Sequence, residues 1–270
     1  MAFSLGPRAA SAGYRLAVFD RIGSTNTEAL VRARTGETGP IWLVTAEQTA
    51  GRGRRQRSWI SPRGNLASSV LEVIDTSPAV AATLSFAAGL ALEAALQAVS
   101  LEARMRSPVS EKVTFHLKWP NDVLAGGRKL AGILLEAEMV AHNRLAVVVG
   151  IGTNVIAAPE GMQYPAVALR DLGIDIGAED LFRALTEAWA EFRAIWDMGR
   201  GFGEIRRLWL DRAAGVGQQV SVQSGPSTVS GLFDTIDKNG CLIVATSDGK
   251  RVAVSAGDVH FGTAASVGAT

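Results

Sequence analysis

Hydrophobic positions change their spacing several times along the chain, and these changes predict both strands and helices. Short apolar runs and alternating segments indicate strands, because successive side chains of a strand point to opposite faces of a sheet. Strands are predicted at Tyr14–Phe19, Ile41–Ala46, Leu66–Ile74, Val113–Lys118, Leu130–Met139 and Arg144–Ile151. Apolar residues spaced three or four positions apart indicate helices with one buried face. Helices are predicted at Ser24–Arg34, Ala79–Val99, Ala178–Met198 and Phe202–Arg212.

Polar segments separate these elements. Ala141–Asn143 is short enough to join two strands as a hairpin. Longer segments rich in glycine, asparagine and aspartate predict loops. These are Glu47–Asn65, Trp119–Arg128 and the irregular segment Ile156–Gly173, with a further polar connection at Arg104–Lys112.

The pattern changes after Gly215, where short strands alternate with tight turns. Strands are predicted at Gln219–Gln223, Ser227–Ile236, Cys241–Thr246 and Arg251–Val254. This pattern is typical of a small β-barrel of about five strands. We therefore expect two domains, residues 14–214 and 215–262, with a boundary near Ala213–Gly217. A flexible leader (1–13) and a disordered tail (263–270) should flank them.

The composition is that of an ordinary globular protein, and it narrows the possible functions. Apolar residues make up 47% of the chain and charged residues 20%, which is enough for a sizeable core. The single cysteine, Cys241, excludes an intramolecular disulfide and a zinc–cysteine cluster. The net charge of +1 gives no general attraction to nucleic acid, so any basic site must be local.

The N-terminus and the most apolar helix bear on the cellular compartment. Met1–Gly13 lacks the apolar run of a signal peptide. Ala79–Val99 is interrupted by Thr83, Glu93 and Gln97, which favours a buried helix over a membrane span. We expect a cytoplasmic protein that does not bind a membrane.

The most distinctive polar segment is Gly51–Arg57, the arginine loop, in which four arginines are mixed with glycine and glutamine. Glycine lets the backbone approach a ligand closely, and arginine provides planar, paired donors suited to phosphate or carboxylate. Trp59 follows and offers a flat face for a base. Together these residues fit a nucleotide with its phosphates. Alone, they fit a solvated basic turn or an RNA-binding tract equally well.

A second candidate is Lys118–Asp122, Lys-Trp-Pro-Asn-Asp, at the end of a predicted strand. A lysine held there can stabilise developing negative charge, while Asn121 and Asp122 add an amide and a carboxylate. Asp122 is a candidate ligand of Mg²⁺, which prefers oxygen. Taken alone, a polar strand-to-turn junction with a solvated lysine is the better explanation of these residues.

Three further segments could face a ligand. Ala131 and Gly132 leave space beside a buried strand. Asn154 follows a valine-rich strand and a glycine turn, where it could bind a phosphate or a ribose. Ser24–Asn26 could present hydroxyls and an amide to a polar ring such as a cyclic urea. Close packing, turn capping and a helix N-cap are the simpler explanations of the three.

In this order, the segments resemble the biotin–protein ligase family. The series is Ser24-Thr-Asn26, Gln48 before Gly51-Arg-Gly-Arg-Arg55, Lys118-Trp-Pro-Asn-Asp122, Lys129-Leu-Ala-Gly132 and Gly152-x-Asn154. Each element is weakly specific, but the whole series in one order makes coincidence improbable. The match covers roughly Phe19–Asn154, and the C-terminal domain fits less closely.

The resemblance implies an α+β fold. It predicts a mixed, largely antiparallel sheet backed by helices, as in class II synthetases, followed by a small SH3-like β-barrel. Some relatives carry an N-terminal DNA-binding domain. Too few residues precede the first predicted strand here for three packed helices, so we expect the form without that domain and no DNA binding.

The resemblance assigns one group of residues to biotin. Side chains near the first helix would contact the biotin ring system, and Lys118 and Arg54 would act as catalytic residues at its carboxylate. The biotin-binding set that it implies is Ser24, Thr25, Asn26, Gln48, Arg52, Gly53, Arg54, Lys118, Ala131 and Gly132.

A second group is assigned to ATP. Trp59 would stack near adenine, Lys118 would lie between the biotin carboxylate and the α-phosphate, and Asp122 would hold Mg²⁺. The ATP-binding set that the resemblance implies is Arg52, Arg54, Arg55, Trp59, Lys118, Asn121, Asp122 and Asn154.

The implied activity is that of an ATP-dependent biotin–[acetyl-CoA-carboxylase] ligase, acting as a monomer or homodimer. Biotin and ATP would form biotinyl-5′-AMP, and biotin would pass to a lysine of a biotin carboxyl carrier domain. The glycines suggest that the arginine loop is mobile until an adenylate orders it. The alternatives are a lipoate–protein ligase, an RNA-binding module that uses this loop, and a catalytically dead binding protein. The arginine loop and Lys118–Asp122 favour biotin.

Three positions depart from the family pattern. Gln56 stands where glycine is common, Ala67 replaces a frequent aromatic residue, and Thr153 replaces an aliphatic one. We expect a stiffer loop at Gln56 and altered details of the pocket at the other two positions.

Overall fold

The structure is a computed structural model that describes residues 2–106, 112–161 and 164–262. Its first strands are β1 (Arg15–Phe19), β2 (Ile41–Thr45), β3 (Gln48–Arg52), β4 (Ser58–Ser61), β5 (Leu66–Ile74), β6 (Phe115–Lys118), β7 (Asp122–Ala125), β8 (Arg128–Val140) and β9 (Arg144–Thr153). All except β3 and β4 form one sheet in the order β1-β2-β5-β9-β8-β7-β6. β1 and β2 run parallel, and the other neighbours run antiparallel. The predicted mixed, largely antiparallel sheet is confirmed.

Helices pack on both faces of this sheet. They are α1 (Pro7–Ser11), α2 (Thr25–Arg34), α3 (Pro78–Ala82), α4 (Leu84–Arg106), α5 (Ala178–Trp196) and α6 (Phe202–Leu210). α4 and α5 lie on one face and form the main core with Trp42 and Val70. α2 lies on part of the other face, where Ala29 packs with Leu71 and Val148.

Alternation along the strands determines which residues share a face with α2. Because Leu71 and Val148 face α2, Ser69 and Gly150 on the same two strands face the same way. Beyond the N-terminus of α2 this face continues over Gly152 and, on β8, Gly132. Because these glycines carry no side chain, neighbouring side chains can lie close to the sheet near the first turn of α2.

The first residues are folded, and the predicted flexible leader over residues 1–13 is wrong for the part that the structure describes. α1 packs against α5, and Ala9 is fully buried. Phe3 packs edge-on against Phe182, with ring centroids 5.6 Å apart. The small and polar residues of this segment suggested disorder, but their packing partners lie on α5, far away in the sequence.

The predicted helix Ala79–Val99 consists of two helices. α3 ends at Ala82 and is followed by Thr83, whose hydroxyl donates to Val80 O at 2.6 Å. α4 begins at the next residue, Leu84. α4 continues to Arg106, so the predicted polar connection Arg104–Lys112 starts as helix. Residues 107–111 of that connection lie outside the described residues.

Among the described residues, one helical span, Pro78–Arg106, is long and apolar enough to cross a membrane. Of its most apolar window, 72% is buried inside the fold. The same length and composition occur in core helices, and here the span packs between the sheet and α5.

Two segments predicted as loops contain strands. β3 and β4 form a hairpin within Glu47–Asn65, and β7 lies within Trp119–Arg128. β7 has four residues and is flanked by asparagine, aspartate and glycine, so its apolar pattern is short. It forms because β6 and β8 pair with it, one on each side. The strand propensity of its own residues does not reveal this pairing.

The C-terminal residues form a second sheet. Its strands are β10 (Gln219–Ser224), β11 (Ser227–Ile236), β12 (Leu242–Ala245), β13 (Arg251–Val254) and β14 (Asp258–Phe261). They are antiparallel in the order β13-β12-β11-β10-β14, so a small domain of five strands is confirmed. β14 was not predicted as a strand, and it pairs with β10 rather than with β13. The predicted tail, 263–270, lies outside the described residues.

Candidate active site

A cavity of about 300 Å³ lies on the sheet next to the N-terminus of α2. Its walls come from the first turn of α2, the β3–β4 hairpin, the starts of β5 and β14, the first half of β8, and the ends of β6 and β9. Both sheets therefore contribute to one site. Of the predicted residues, the cavity is lined by Ser24, Thr25, Asn26, Gln48, Arg52, Gly53, Arg54, Trp59, Lys118, Asn121, Asp122, Gly132 and Asn154.

Two predicted residues do not line this cavity. Ala131 is fully buried, and its side chain belongs to the core behind the sheet, whereas Gly132 lines the cavity. Alternation along β8 sends the two residues to opposite faces. Arg55 pairs with Asp258 instead, with 3.0 Å between Arg55 Nη1 and Asp258 Oδ2.

Ser24, Thr25, Asn26 and Gln48 form one end of the cavity, the polar end. Ser24 is the N-cap of α2, and its Oγ accepts from a backbone N–H of the first turn. Thr25 N–H donates to Gln48 Oε1 at 2.9 Å. Asn26 is 4% exposed and its Nδ2 donates to Glu136 Oε2 at 2.8 Å. The N-cap explanation is correct for Ser24, and Thr25 and Asn26 add buried polar groups beside the cavity.

Three glycines form the floor of the cavity. A Cβ on Gly150 would overlap Asn26 Oδ1, and a Cβ on Gly152 would overlap the indole of Trp59. A Cβ on Gly132 would lie 3.2 Å from the same indole. The missing side chains therefore allow Asn26 and Trp59 to lie directly on the sheet. Trp59 covers the floor, and its stacking near adenine stays a prediction.

Lys118 enters the cavity from the end of β6 and is 7% exposed. Its Nζ lies 3.5 Å from the centroid of the Tyr164 ring and 5.5 Å from that of Phe261. Burial lowers the pKa of Lys118 to about 8, although the charge of Asp122 opposes this shift. The aromatic faces stabilise the ammonium electrostatically but do not accept its hydrogen bonds, as an acceptor oxygen would. The group can therefore donate to an anion in the cavity.

The junction after β6 positions two more side chains. Asn121 Nδ2 donates to Ile133 O at 2.7 Å, and its Oδ1 accepts from Arg54 Nη1 at 3.2 Å. Asp122 Oδ1 lies 2.7 Å from Lys129 Nζ. Asn121 is hydrogen-bonded, and Asp122 is ion-paired with Lys129 without a hydrogen bond to its Oδ1 in the described part of the chain. This segment is therefore a packed junction and also part of the cavity wall.

Asp122 is the predicted ligand of Mg²⁺. Within the part of the chain that the structure describes, no group of three or more histidine, cysteine or carboxylate side chains could hold a metal ion. Lys129 neutralises the carboxylate of Asp122. These residues do not form a metal site from protein ligands alone. Mg²⁺ that arrives with ATP needs only one or two carboxylates, so the role of Asp122 stays a prediction.

Asn154 has an unpaired oxygen beside the cavity. The side chain is 1% exposed, and its Nδ2 donates to Val167 O at 3.2 Å. Its Oδ1 is buried without a hydrogen-bond partner among residues 2–106, 112–161 and 164–262. A buried acceptor left unpaired costs free energy. A ligand hydroxyl, such as that of a ribose, would satisfy it.

The arginine loop closes one side of the cavity and contacts the C-terminal sheet. Arg54 Nη1 donates to Gly257 O at 3.4 Å. Arg57 Nη2 donates to Asp258 Oδ2 at 2.7 Å, and Arg55 Nη1 donates to the same oxygen. One carboxylate of the C-terminal sheet therefore holds two arginines of the loop.

The positive charge of the arginine loop is larger than the negative charge of the carboxylates that pair with it. Four arginines face two carboxylates, Glu136 and Asp258. Burial alone would raise the pKa of Asp258, but the hydrogen bond from Arg57 and the charge of Arg55 lower it below its usual range. Burial lowers the pKa of Arg54, yet a guanidinium stays charged at neutral pH. The loop therefore keeps a positive charge beside the cavity.

The loop backbone turns at Arg55 and Gln56, which have φ angles of 54° and 59°. This left-handed region costs a residue with a Cβ about 1–2 kcal/mol. Glycine, the common residue of the family pattern at the position of Gln56, adopts it at no steric cost. The contacts with Asp258 compensate for part of this strain. The predicted stiffness of the loop stays a prediction.

We expect Asp258→Asn to loosen the arginine loop. The amide keeps the shape of the side chain but removes the charge that attracts Arg55 and Arg57. Because two partly exposed pairs together contribute about 1 kcal/mol, trypsin should cut the loop roughly fivefold faster. Asp248→Asn, which removes an exposed carboxylate that pairs with Lys250, is the control. Equal cleavage rates in the two variants would contradict this role of Asp258.

Sequence reasoning missed five residues at this site. Ser69 and Glu136 contact the polar end from behind, Tyr164 and Phe261 flank Lys118, and Asp258 pairs with the arginine loop. Alternation along β5 and β8 could have indicated Ser69 and Glu136, since polar residues inside apolar strands need partners. The other three depend on contacts between distant parts of the chain, which no local pattern indicates.

Comparisons with known proteins identify the family. Residues 18–154 match the model of the biotin/lipoate A/B protein ligase family, and residues 215–262 match the biotin protein ligase C-terminal domain. The chain belongs to the biotin/lipoate A/B protein ligase family, and the predicted resemblance is confirmed.

Similar proteins include two biotin–[acetyl-CoA-carboxylase] ligases. The protein from Paracoccus denitrificans is 39% identical over 249 residues, which cover 90% of this chain and 98% of that protein. The protein from Mycobacterium tuberculosis is 37% identical over 93% of this chain and 90% of its own length. The solved biotin protein ligase from Aquifex aeolicus in complex with biotin and ATP has a TM-score of 0.72 at 23% identity, covering 92% of this chain and 99% of its own. That structure supports the fold.

Proposed function

We propose that this chain is an ATP-dependent biotin–protein ligase that attaches biotin to a lysine of a biotin carboxyl carrier domain. The observation that carries the proposal is the geometry of the cavity. A buried ammonium, Lys118, lies beside the positively charged arginine loop at one end, and hydrogen-bonding side chains form the other end. The two bacterial relatives that are named as such ligases, and that match along most of their length, support the same activity.

Biotin would lie with its ring at the polar end and its carboxylate toward Lys118. Its ureido group carries a carbonyl acceptor and N–H donors, for which Thr25 and Gln48 offer complementary partners. Its apolar parts would lie along the glycine floor. Arg54 would then reach the carboxylate from the arginine loop.

ATP would lie between the arginine loop and the junction after β6. Asn154 Oδ1 would accept from a ribose hydroxyl, and Trp59 would cover the adenine. Arg55 would have to leave Asp258 to reach a phosphate. Mg²⁺ would enter as the counterion of ATP, held mainly by phosphate and water oxygens, with Asp122 as its predicted protein partner.

The first step joins two anions, so fixed cations must offset their repulsion. A carboxylate oxygen of biotin attacks the α-phosphorus of ATP, and the bond from that phosphorus to the pyrophosphate oxygen breaks. Biotinyl-5′-AMP and pyrophosphate result. One cation–anion pair at ~4 Å contributes roughly 4 kcal/mol before desolvation costs, at an effective dielectric near 20. Lys118 and Arg54 would supply such pairs to the phosphoryl oxygens.

The second step transfers biotin to the partner. The amine of the carrier lysine attacks the acyl carbon of the adenylate, the bond from that carbon to the phosphate oxygen breaks, and AMP leaves. The amine loses its proton to solvent. No enzyme nucleophile is needed, since the adenylate is already an activated acyl group.

The polar end disfavours the lipoate alternative. The ring of lipoate carries neither N–H nor carbonyl, so Thr25 and Gln48 would lose water without gaining partners. An RNA-binding role is disfavoured because the net charge of +1 gives no general attraction to RNA, and the basic cluster is confined to one loop. The monomer or homodimer state, the absence of DNA binding and the cytoplasmic location stay predictions.

Incubation with ATP, labelled biotin and a biotin carboxyl carrier domain tests the proposed function. We expect ATP-dependent labelling of the carrier, and no labelling of a carrier whose target lysine is replaced by arginine. Labelled lipoate should not be transferred. Transfer of lipoate instead of biotin, or RNA binding without adenylate formation, would overturn the proposal.

The lowered pKa of Lys118 predicts an alkaline limit of activity. The free enzyme loses this cation as the pH rises through about 8. We expect kcat/KM for ATP to fall about tenfold per pH unit above that value. The decline of kcat should occur at higher pH, because bound phosphate raises the pKa of the ammonium. Biotin-dependent ATP–pyrophosphate exchange measures both profiles, and identical alkaline limits for the two would argue against Lys118 facing the phosphate.

A further inference from the structure

Two residues, Ser69 and Glu136, contact side chains of the polar end but do not line the cavity themselves. Ser69 Oγ on β5 lies 2.6 Å from Thr25 Oγ1 and 2.6 Å from Asn26 Oδ1. On β8, Glu136 Oε2 and Leu134 O lie 2.8 Å and 3.1 Å from Asn26 Nδ2. These atoms form one connected chain of hydrogen bonds.

The orientation of the Asn26 amide follows from its neighbours. Leu134 O and the carboxylate of Glu136 can only accept hydrogen bonds. Arg52 Nη2 also donates to Glu136 Oε2, at 2.9 Å. The nitrogen of Asn26 must therefore face β8, and its Oδ1 must face Ser69.

The single hydrogen of the Ser69 hydroxyl determines the next bond. Asn26 Oδ1 cannot donate, so Ser69 donates to it. Since Ser69 has already used its hydrogen, the hydroxyl of Thr25 must donate in the 2.6 Å contact between Thr25 Oγ1 and Ser69 Oγ. The hydroxyl oxygen of Thr25 can therefore only accept a hydrogen bond from a ligand in the cavity.

Gln48, unlike Thr25, offers a hydrogen-bond donor to a ligand. Its Oε1 accepts from Thr25 N–H at 2.9 Å, so its Nε2 is the group that it can offer to a ligand. The polar end therefore presents an acceptor at Thr25 and a donor at Gln48. This pair matches a ring that carries an N–H beside a carbonyl.

We propose that Ser69 is a positioning residue that makes Thr25 a hydrogen-bond acceptor and thereby selects ligands with a cyclic urea. This inference rests on the proposed placement of the biotin ring at the polar end. Glu136 fixes the same direction through Asn26, and its bond to Arg52 connects ring recognition with the arginine loop. A ring without N–H leaves Thr25 and Gln48 unpaired.

Ser69→Ala tests this role. Without the hydroxyl, Asn26 Oδ1 loses its donor, and Thr25 can turn its own hydrogen toward the cavity or toward Gln48 Oε1, 3.3 Å away. We expect the KM for biotin in biotinyl-5′-AMP formation to rise about tenfold. kcat at saturating biotin and the KM for ATP should not change, because Ser69 contacts only the ring end. A general loss of structure would not separate these constants.

Ser100→Ala on α4 is the matched control, since Ser100 is 5% exposed and lies on the other side of the sheet. It should leave the KM for biotin unchanged. A KM for biotin that is the same in Ser69→Ala as in Ser100→Ala would overturn the inference, as would an equal rise of both KM values in Ser69→Ala.

Thr25→Val separates this inference from the placement of biotin. Valine keeps the shape of threonine and removes the acceptor. If Thr25→Val raises the KM for biotin and Ser69→Ala does not, the role of Ser69 is wrong and the placement holds. If neither variant raises it, the ring does not bind at the polar end, and the inference fails with the placement. A rise in both variants supports it.

Discussion

Lys118→Met is expected to lower the rate of biotinyl-5′-AMP formation by about 10²- to 10³-fold. Methionine keeps most of the bulk that packs between Tyr164 and Phe261 but removes the positive charge. The α-phosphoryl oxygens then gain negative charge in the transition state without their nearest proposed cation. Biotin-dependent ATP–pyrophosphate exchange measures this step without the carrier domain.

The fold should tolerate this change. The folded-state pKa of Lys118, about 8, lies below its ordinary value of 10.5, so the unfolded chain binds the proton more tightly. Protonated Lys118 therefore destabilises the fold fully below about pH 8, and this effect fades as the pH rises toward 10.5. We expect the Tm of Lys118→Met at pH 7 to equal or exceed the native Tm.

Lys250→Met is the control for charge removal. Lys250 is an exposed lysine of the C-terminal sheet that pairs with Asp248, and its loss should change neither rate nor Tm. A Lys118→Met variant as active as Lys250→Met would show that the buried ammonium is not needed for adenylation.

Gly150→Ala is expected to raise the KM for biotin by roughly 10- to 100-fold, since overpacking of a rigid site costs about 1–3 kcal/mol. The new methyl group would overlap Asn26 Oδ1. Asn26 cannot shift easily, because Ser69, Leu134 O and Glu136 hold it. Displacement of Asn26 disturbs Thr25 as well, so the whole polar end loses its arrangement.

Gly203→Ala provides the control, because a Cβ at Gly203 on α6 meets open space. Steady-state kinetics with biotin as the varied substrate compare the two variants, and thermal unfolding monitors their stability. If Gly150→Ala lowers the Tm but leaves the KM for biotin at the native value, the polar end does not bind the ring.

Much of the fold could be predicted because its strands and helices have strong local patterns. β5, β8 and β9 are apolar runs, and the sheet that they form is the predicted one. β7 was missed because its four residues depend on pairing with both neighbours. The N-terminal segment was mispredicted because its stability comes from α5, not from its own composition.

The residues of the candidate site also fall into those that a local motif predicts and those that depend on contacts between distant parts of the chain. Lys118, Gly132 and Asn154 were found because each belongs to a compact motif, and the structure gathers them around one cavity. Ala131 shares its motif with Gly132, but alternation along β8 turns its side chain to the core. Asp258 and Phe261 could not be found from a motif, because the packing of the C-terminal sheet against the arginine loop brings them to the site.

Detection of biotinyl-5′-AMP is the most direct test of the proposed function. Purified protein would be mixed with biotin and ATP without a carrier domain, and the products would be analysed by mass spectrometry. We predict that the native protein accumulates the adenylate, that Lys118→Met forms it about 10²- to 10³-fold more slowly, and that lipoate yields no lipoyl adenylate. Absence of the adenylate with the native protein, or its formation from lipoate and not from biotin, would contradict the account.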